Sequence, residues 1–478
     1  MTKYFVTALL LCVTPGYADV RLPKILDSQM VLQRNSEVKL WGWADAGERI
    51  DVRCNWLDET ASTTADDEGR WQVRLKTRAA GGPHTITIEG KNQIKLRGVL
   101  FGEVWIASGQ SNMEMPLIQV SGAYTGIRDA EKEVREANHP NIRLFQVGNF
   151  SSNRPLDDVR AGTTIYGVPP AACRWQACTP QTIPTFSSTA YFFARQLHNE
   201  LQVPIGIIDA SWGGASAEDL TPAAGLKHLG YDADLEQAEN RPQQGDQRIP
   251  TRLYNGMIHP LRHLTIRGAI FYQGERNAAR ADKYRELFST MIGQWRRAFG
   301  HDFSFYFVQI APFPYPFPEV NTAYLREAQF QTMSLPGTGM AVTMDIANLE
   351  DIHPKNKQEV GRRLALWALA KNYGGDIVYS GPVYRQSTVQ GKKMRIKFDH
   401  VGSGLATRDN QPPSHFEIAG SDNIFHPAEA RIDANDLVVS SPNVSAPKSV
   451  RYAFTSDAVP NLINKEGLPA SSFRTDQW

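Results

Sequence analysis

From Val20 to about Arg97 the chain reads in short runs that alternate apolar and polar positions, at 37–43, 50–54, 71–75 and 84–88. Turn-forming clusters separate them: Asp45-Ala-Gly47, Asp66-Asp-Glu-Gly69 and Gly81-Gly-Pro83. Period-two alternation punctuated at this spacing predicts a small antiparallel sandwich. Trp41, Trp43 and Trp71 read as core of that sandwich rather than as a sugar-binding face.

Between about Leu100 and Gly375 the rhythm changes. Strand-like runs at 103–107, 205–209, 269–272 and 303–309 alternate with helical stretches. Over 281–300 apolar residues fall at 284, 287, 288, 291, 292, 295 and 299, the stripe of a helix covering one face of a sheet. Strand, helix, strand in succession implies right-handed parallel crossovers, hence an α/β/α sandwich on a parallel central sheet. Ligands in such sheets collect beyond the carboxyl ends of the strands. From about Asp376 the helical rhythm stops, and runs at 394–398, 416–418, 429–432 and 450–454 predict a second small antiparallel β domain. The expected division is 1–18, 19–99, 100–375 and 376–478.

The first of these segments reads as an address. Lys3 precedes an apolar run over 4–13, and Gly16-Tyr17-Ala18 supplies small residues at the cleavage positions, the pattern of a secretory signal peptide. The run is too short to cross a hydrocarbon core of ~30 Å. Leu11 before Cys12 is bulky where a lipoprotein site wants a small residue. The expected location is therefore secreted or periplasmic, without membrane insertion. The remaining cysteines, Cys54, Cys173 and Cys178, make neither a disulfide scaffold nor a Cys-rich zinc site. Cys173 and Cys178 either pair across a short loop or stay as thiols. Lys and Arg number 51 against 50 Asp and Glu, which gives no footprint for nucleic acid or an anionic membrane. Apolar residues at 41%, aromatics 10%, are enough for real cores. Oligomeric state is left open.

Four segments at strand ends carry candidate chemistry. In Gly109-Gln-Ser111 a glycine lets the backbone bend and brings a serine onto a tight turn, where it serves as nucleophile or simply as a helix cap. Paired glycines in Asp209-Ala-Ser-Trp-Gly-Gly-Ala215 allow backbone amides to approach a ligand, or form an ordinary turn. Gln273-Gly-Glu-Arg-Asn277 gathers amide, carboxylate and guanidinium groups at a third strand end. In Asp351-Ile-His-Pro354 a carboxylate stands close enough to orient an imidazole, though an Asp-x-His loop is also a metal half-site. Pro354 is expected to open the helix that follows. His259 and His263 have helical metal-ligand spacing, but Pro260 intervenes and no glutamate accompanies them, so neither metal nor cofactor is expected.

Taken in order, these segments resemble the SGNH hydrolases. Gly109-Gln-Ser-Asn-Met-Glu114, Ser211-Trp-Gly-Gly214, Tyr254-Asn-Gly-Met-Ile-His-Pro260, Tyr272-Gln-Gly-Glu275, Leu325-Arg-Glu-Ala-Gln329 and Asp351-Ile-His-Pro-Lys355 resemble, more narrowly, the sialate O-acetylesterase family over most of residues 20–455. The resemblance implies an SGNH-type sandwich and a serine esterase on acetylated sugars or glycans. It implies Ser111 as nucleophile, His353 as general base and Asp351 as the acid that fixes the imidazole tautomer. The wider superfamily places that acid three positions before the histidine, where Glu350 stands, so Glu350 or a Ser–His dyad stays open. The implied oxyanion hole joins the Ser111 and Gly214 N–H groups to the Gln273 side chain, with Asn277 as rival. Asn112, Glu275, Arg276 and Asn277 are candidate substrate contacts. Arg252, Arg262 and Arg276 are candidate cations for a sialate carboxylate. Acetylated xylan or xyloglucan is the alternative substrate. An inactive carbohydrate-binding relative and a lipid esterase, the latter suggested only by the Pro/aromatic stretch 311–318, are the competing readings. The terminal β domains are expected to brace the catalytic one.

Overall fold

The computed structural model describes residues 19–162, 172–241, 248–317 and 321–477; the proposed address at 1–18 lies outside them. The fold is mixed α/β with an added antiparallel β domain at the C-terminal end. Its central sheet runs in the order Thr338–Ala341, Ser304–Val308, Gly268–Tyr272, Gln93–Gly109, Ile205–Ser211, His139–Gln146, Trp175–Cys178. All neighbours pair in parallel except the last, which is antiparallel to His139–Gln146. The sheet is therefore mixed, not wholly parallel as expected. The short edge strand escaped the reading because its four residues, Trp175–Cys178, are too few to show a period.

Alternation along the central strands makes two cores. Val104, Ile106, Ala269, Phe271, Phe305 and Phe307 face one side, where the helix Ala281–Phe299 lays down the stripe that includes Tyr284, Phe288 and Trp295. Trp105, Ala107, Ile270, Tyr272, Tyr306 and Val308 face the other, against Ser188–Leu201 and Lys357–Asn372. Side chains one residue apart on a strand point to opposite faces, so one apolar run serves both layers. The helix Ala281–Phe299 ends as its sequence predicts, with Gly300 left-handed (φ 75°) and its N–H returned to Arg296 O.

Gln93–Gly109 is one continuous strand. Its first half pairs antiparallel with Gly81–Glu89 of the N-terminal strands, and its second half is the centre of the parallel part of the central sheet. The N-terminal strands Glu37–Trp43 and Arg70–Lys76 pair antiparallel, with Trp41 and Trp71 buried as expected. The C-terminal domain is a seven-stranded antiparallel sheet. It grips the helix Thr322–Thr332: buried Arg326 donates to Thr455 O, and Arg474 pairs with Glu327 at 3.0 Å. Those contacts tie the C-terminal domain to that helix. Cys54, Cys173 and Cys178 are separate buried thiols with no disulfide among them, and burial pushes the Cys54 and Cys178 thiols up to about 12.

Candidate active site

Three motif-bearing strands end level with one another. Gly109 is in register with Ser211 on one side and with Tyr272 on the other, so the loops that follow leave the sheet side by side. Gly109 has φ 137°, and a Cβ there would stand 2.1 Å from Tyr272 O. Only glycine fits both the conformation and the space. The bend lets Gln110 N donate to Tyr272 O (2.9 Å) and throws Ser111 forward as the first residue of the short helix Ser111–Glu114. The Ser111 N–H is one of the amides that a helix start leaves without an intrahelical acceptor.

The fourth loop comes from the sheet edge. After Thr338–Ala341 the chain runs through Asp351 and His353 to the helix Lys357–Asn372. That helix opens at Lys357 rather than at Pro354, because the Asn356 side chain caps it by accepting from Glu359 N (3.3 Å). The loop sets His353 Nε2 2.9 Å from Ser111 Oγ. On the other ring nitrogen, Asp351 Oδ1 lies 3.3 Å from Nδ1 and also accepts from His353 N at 2.9 Å. Asp351 Oδ2 is held by the Thr125 hydroxyl (3.0 Å). Glu350 is exposed and its side chain makes no such contact. Tyr124 packs its ring edge-on against the imidazole at 5.4 Å. Burial, together with the nearby Lys357 cation, holds the His353 imidazole below its ordinary value of 6.5, outweighing Asp351.

The glycine turn after Ser211 is fixed by groups the motif reading left without a role. Half-buried Glu114 accepts from Gly213 N (2.6 Å), from Tyr124 Oη (2.7 Å) and from Asn149 Nδ2 (2.7 Å). Burial raises its carboxyl despite those three donors. A Cβ on Gly213 would lie 2.8 Å from Glu114 Oε2 and 3.6 Å from Ser111 Cβ, so this turn runs beside Ser111 and leaves no room at Glu114 for a side chain. Gly214 is left-handed, φ 74°. Exposed Arg248 donates to Gly213 O and places a cation on the same turn. No pattern marked Arg248 in the sequence.

Several expected substrate contacts are turned inward. Asn112 is buried: its Nδ2 donates to Glu275 Oε1 (2.6 Å) and Ile352 O (3.1 Å), while Oδ1 accepts from Lys357 Nζ (2.6 Å). Asn277 donates to Glu218 Oε2 (2.9 Å) and accepts from Ala217 N (3.0 Å), bracing the 211–219 loop. Gln273 Nε2 donates to Asn277 Oδ1 (2.7 Å) and Ala215 O (3.2 Å), and its Oε1 accepts from Tyr284 Oη (2.8 Å). Both amide hydrogens are thus engaged, and donation to an oxyanion requires Gln273 to release the longer bond. Arg276 is exposed, with its backbone N–H on Gln110 Oε1 (3.3 Å). Arg252 is buried on Ala238 O and Arg241 O, and Arg262 is paired with Asp157 at 2.8 Å. His259 bonds Leu156 O (2.9 Å) while His263 packs on Trp41, so the two histidines serve different neighbours. Among the described residues no group of three or more His, Cys, Asp or Glu is placed to hold a metal ion.

A family model described as "Carbohydrate esterase, sialic acid-specific acetylesterase" matches residues 101–370, more than half of the chain. The sialate O-acetylesterase of Rattus norvegicus is 30% identical over 421 residues, covering 76% of this chain and 76% of the relative. That of Homo sapiens is 28% identical over 411 residues, covering 76% and 73%. Among solved structures, a carbohydrate acetylesterase from Xanthomonas citri matches with TM-score 0.85 at 40% identity, covering 96% of this chain and 100% of that one. The class is thus carbohydrate esterase, a hydrolase acting on esters. Within that class, the chain belongs to the sialic acid-specific acetylesterase family.

Proposed function

We propose that this chain is an exported carbohydrate O-acetylesterase that hydrolyses acetyl esters on sugar hydroxyls through a serine acetyl-enzyme, on an SGNH-type catalytic domain. The observation that carries the reading is the 2.9 Å contact between Ser111 Oγ and His353 Nε2, two residues 242 apart in sequence. Export rests on the pattern at 1–18 alone; among the described residues no helix is long and apolar enough to cross a membrane.

In the proposed reaction Ser111 Oγ attacks the acetyl carbonyl carbon as its proton passes to His353 Nε2. Asp351 holds Nδ1–H and stabilises the imidazolium. The carbonyl oxygen becomes an oxyanion, held by the backbone N–H groups of Ser111 and Gly214, with Gln273 joining them if its bond to Ala215 O is exchanged. Collapse breaks the ester bond, and the sugar oxygen leaves with the proton from His353. Water, deprotonated by the same nitrogen, then attacks the acetyl-enzyme; collapse breaks the bond to Ser111 Oγ, which takes the proton back from His353 as acetate leaves.

The base must be neutral to act. Because the imidazole is held below 6.5, kcat/KM is expected to rise with pH through a midpoint below that value and to be near its plateau at neutrality. A kcat/KM profile measured from pH 4.5 to 8 checks this, and a midpoint above 6.5 contradicts it.

Sialic acid differs from xylan and xyloglucan by its carboxylate. Arg248, exposed on the turn against Ser111, is the cation best placed to meet such a group. Arg248→Ala is expected to raise KM for an O-acetylated sialic acid by about tenfold, the scale of one charge-assisted bond, and to leave KM for acetylated xylan unchanged. Equal losses on both substrates would assign Arg248 to the turn alone. Acetate release that does not depend on Ser111 would favour the carbohydrate-binding reading, and a preference for octanoate over acetate esters the lipid one.

A further inference from the structure

Lys357 stands where a lysine is costly. It is fully buried, and it is the first residue of a helix, at the end where the backbone dipole is already positive. Its Nζ donates to Asn112 Oδ1 (2.6 Å) and sits 5.2 Å over the Tyr272 ring. Glu275, whose Oε2 is buried without a hydrogen-bond partner, and Asp351 supply the opposing charge. A methionine would fill this space without the desolvation cost. Holding a charge here therefore needs a reason, and the partners supply one. Asn112 follows the nucleophile, and its amide also ties Ile352 O, the carbonyl immediately before His353. One side chain thus joins the Ser111 turn, the Glu275 loop, the His353 loop and the Lys357 helix.

We propose that Lys357 is a positioning residue of this site: through Asn112, whose amide bridges Lys357 Nζ and Ile352 O, it fixes the loops carrying Ser111 and His353 at bonding distance, and the ammonium so held opposes the imidazolium as a like charge. The proposal rests on the reading of Ser111 and His353 as nucleophile and base. The groups that face His353 are Asp351 on its own loop, Lys357 on the next helix, Ser111 on the nucleophile turn, and Tyr124, which hands its hydroxyl to Glu114. Only Lys357 pushes the imidazole toward the neutral form by charge; Asp351 pulls it the other way. Burial lowers Lys357 itself to about 7, so the cation is retained on the acid side of neutrality. The sign follows: removing the cation stabilises the imidazolium, raises the imidazole pKa, and moves the acid limb of activity to higher pH.

Two variants of the full chain separate the charge from the tether. In Lys357→Met the His353 ring proton, followed by NMR across pH 4.5–8, and the acid limb of kcat/KM on p-nitrophenyl acetate should move upward together, with KM little changed. In Asn112→Ala the charge stays and the tie to Ile352 O is lost, so kcat should fall by about a hundredfold, the cost of a misplacement of about 1 Å, with the limb unmoved. A folded Lys357→Met protein whose ring titrates as in wild type overturns the role of the charge. Undiminished kcat in Asn112→Ala overturns the tether, including the case in which Lys357→Met does not fold. If Ser111→Ala keeps its activity, the nucleophile assignment fails instead, and the ring titration still tests Lys357 without reference to turnover.

Discussion

Ser111→Ala is expected to lower kcat for acetyl ester hydrolysis by about five to six decades, the scale seen when a serine nucleophile is removed. Ser111 and its partner at 2.9 Å, His353, are both only half-buried, so the variant should fold with an unchanged Tm. What survives is the oxyanion site and substrate binding, which alone are worth about three to four decades over water. KM should change little, because the acetyl carbonyl is bound before Oγ reacts with it. Steady-state kinetics on p-nitrophenyl acetate and on an acetylated sugar check this, with mass spectrometry of a stopped reaction to catch the acetyl adduct on wild type. Turnover within tenfold of wild type, or an adduct on another residue, would remove Ser111 from the mechanism.

Asp351→Asn should cost nearly as much, about four decades in kcat, because an amide presents the wrong hydrogen-bonding partner to Nδ1 and no longer offsets the imidazolium. Geometry supports Asp351 over Glu350: one carboxylate is 3.3 Å from Nδ1 and is itself steadied by Thr125, the other is exposed. Glu350→Gln should therefore leave kcat unchanged. The Asp351 oxygen that faces Nδ1 also accepts the His353 backbone N–H at 2.9 Å, so the same substitution loosens the loop as well as the ring. Measuring kcat for both variants decides the matter. A loss confined to Glu350→Gln reverses the assignment, and no loss in either leaves a Ser–His dyad.

The inward turn of Asn112, Glu275 and Asn277 bears on how specificity is built. Motif residues next to Ser111 are natural candidates for substrate contact, yet here the side chains of Asn112 and Asn277 are engaged within the protein, and one oxygen of Glu275 is taken by Asn112. They hold loops from four separate elements to one geometry. Arg248, by contrast, is exposed on the glycine turn, which is why its substitution is the test of carboxylate recognition.

What the sequence determined by itself follows from local rules. Period-two alternation located Glu37–Trp43 and Arg70–Lys76, short apolar runs between helical stretches located Gly268–Tyr272 and Ser304–Val308, and the apolar stripe over 281–299 located its helix, because burying one face or both imposes those patterns along the chain. Gly109 was legible as a bend, and the order of motifs, through its resemblance to the sialate O-acetylesterase family, pointed to candidates for nucleophile, base and acid before any contact was visible. Tertiary structure decided the rest. The edge strand Trp175–Cys178 is too short to carry a period, and its antiparallel pairing depends on a partner 30 or more residues away. The inward-facing Gln273 and Asn112, the Tyr124 and Thr125 contacts around His353, the Arg248 cation and the buried Lys357 all depend on loops distant in sequence being packed together. A hydrogen bond or a buried charge takes its meaning from neighbours in space, and no periodicity along one chain encodes those.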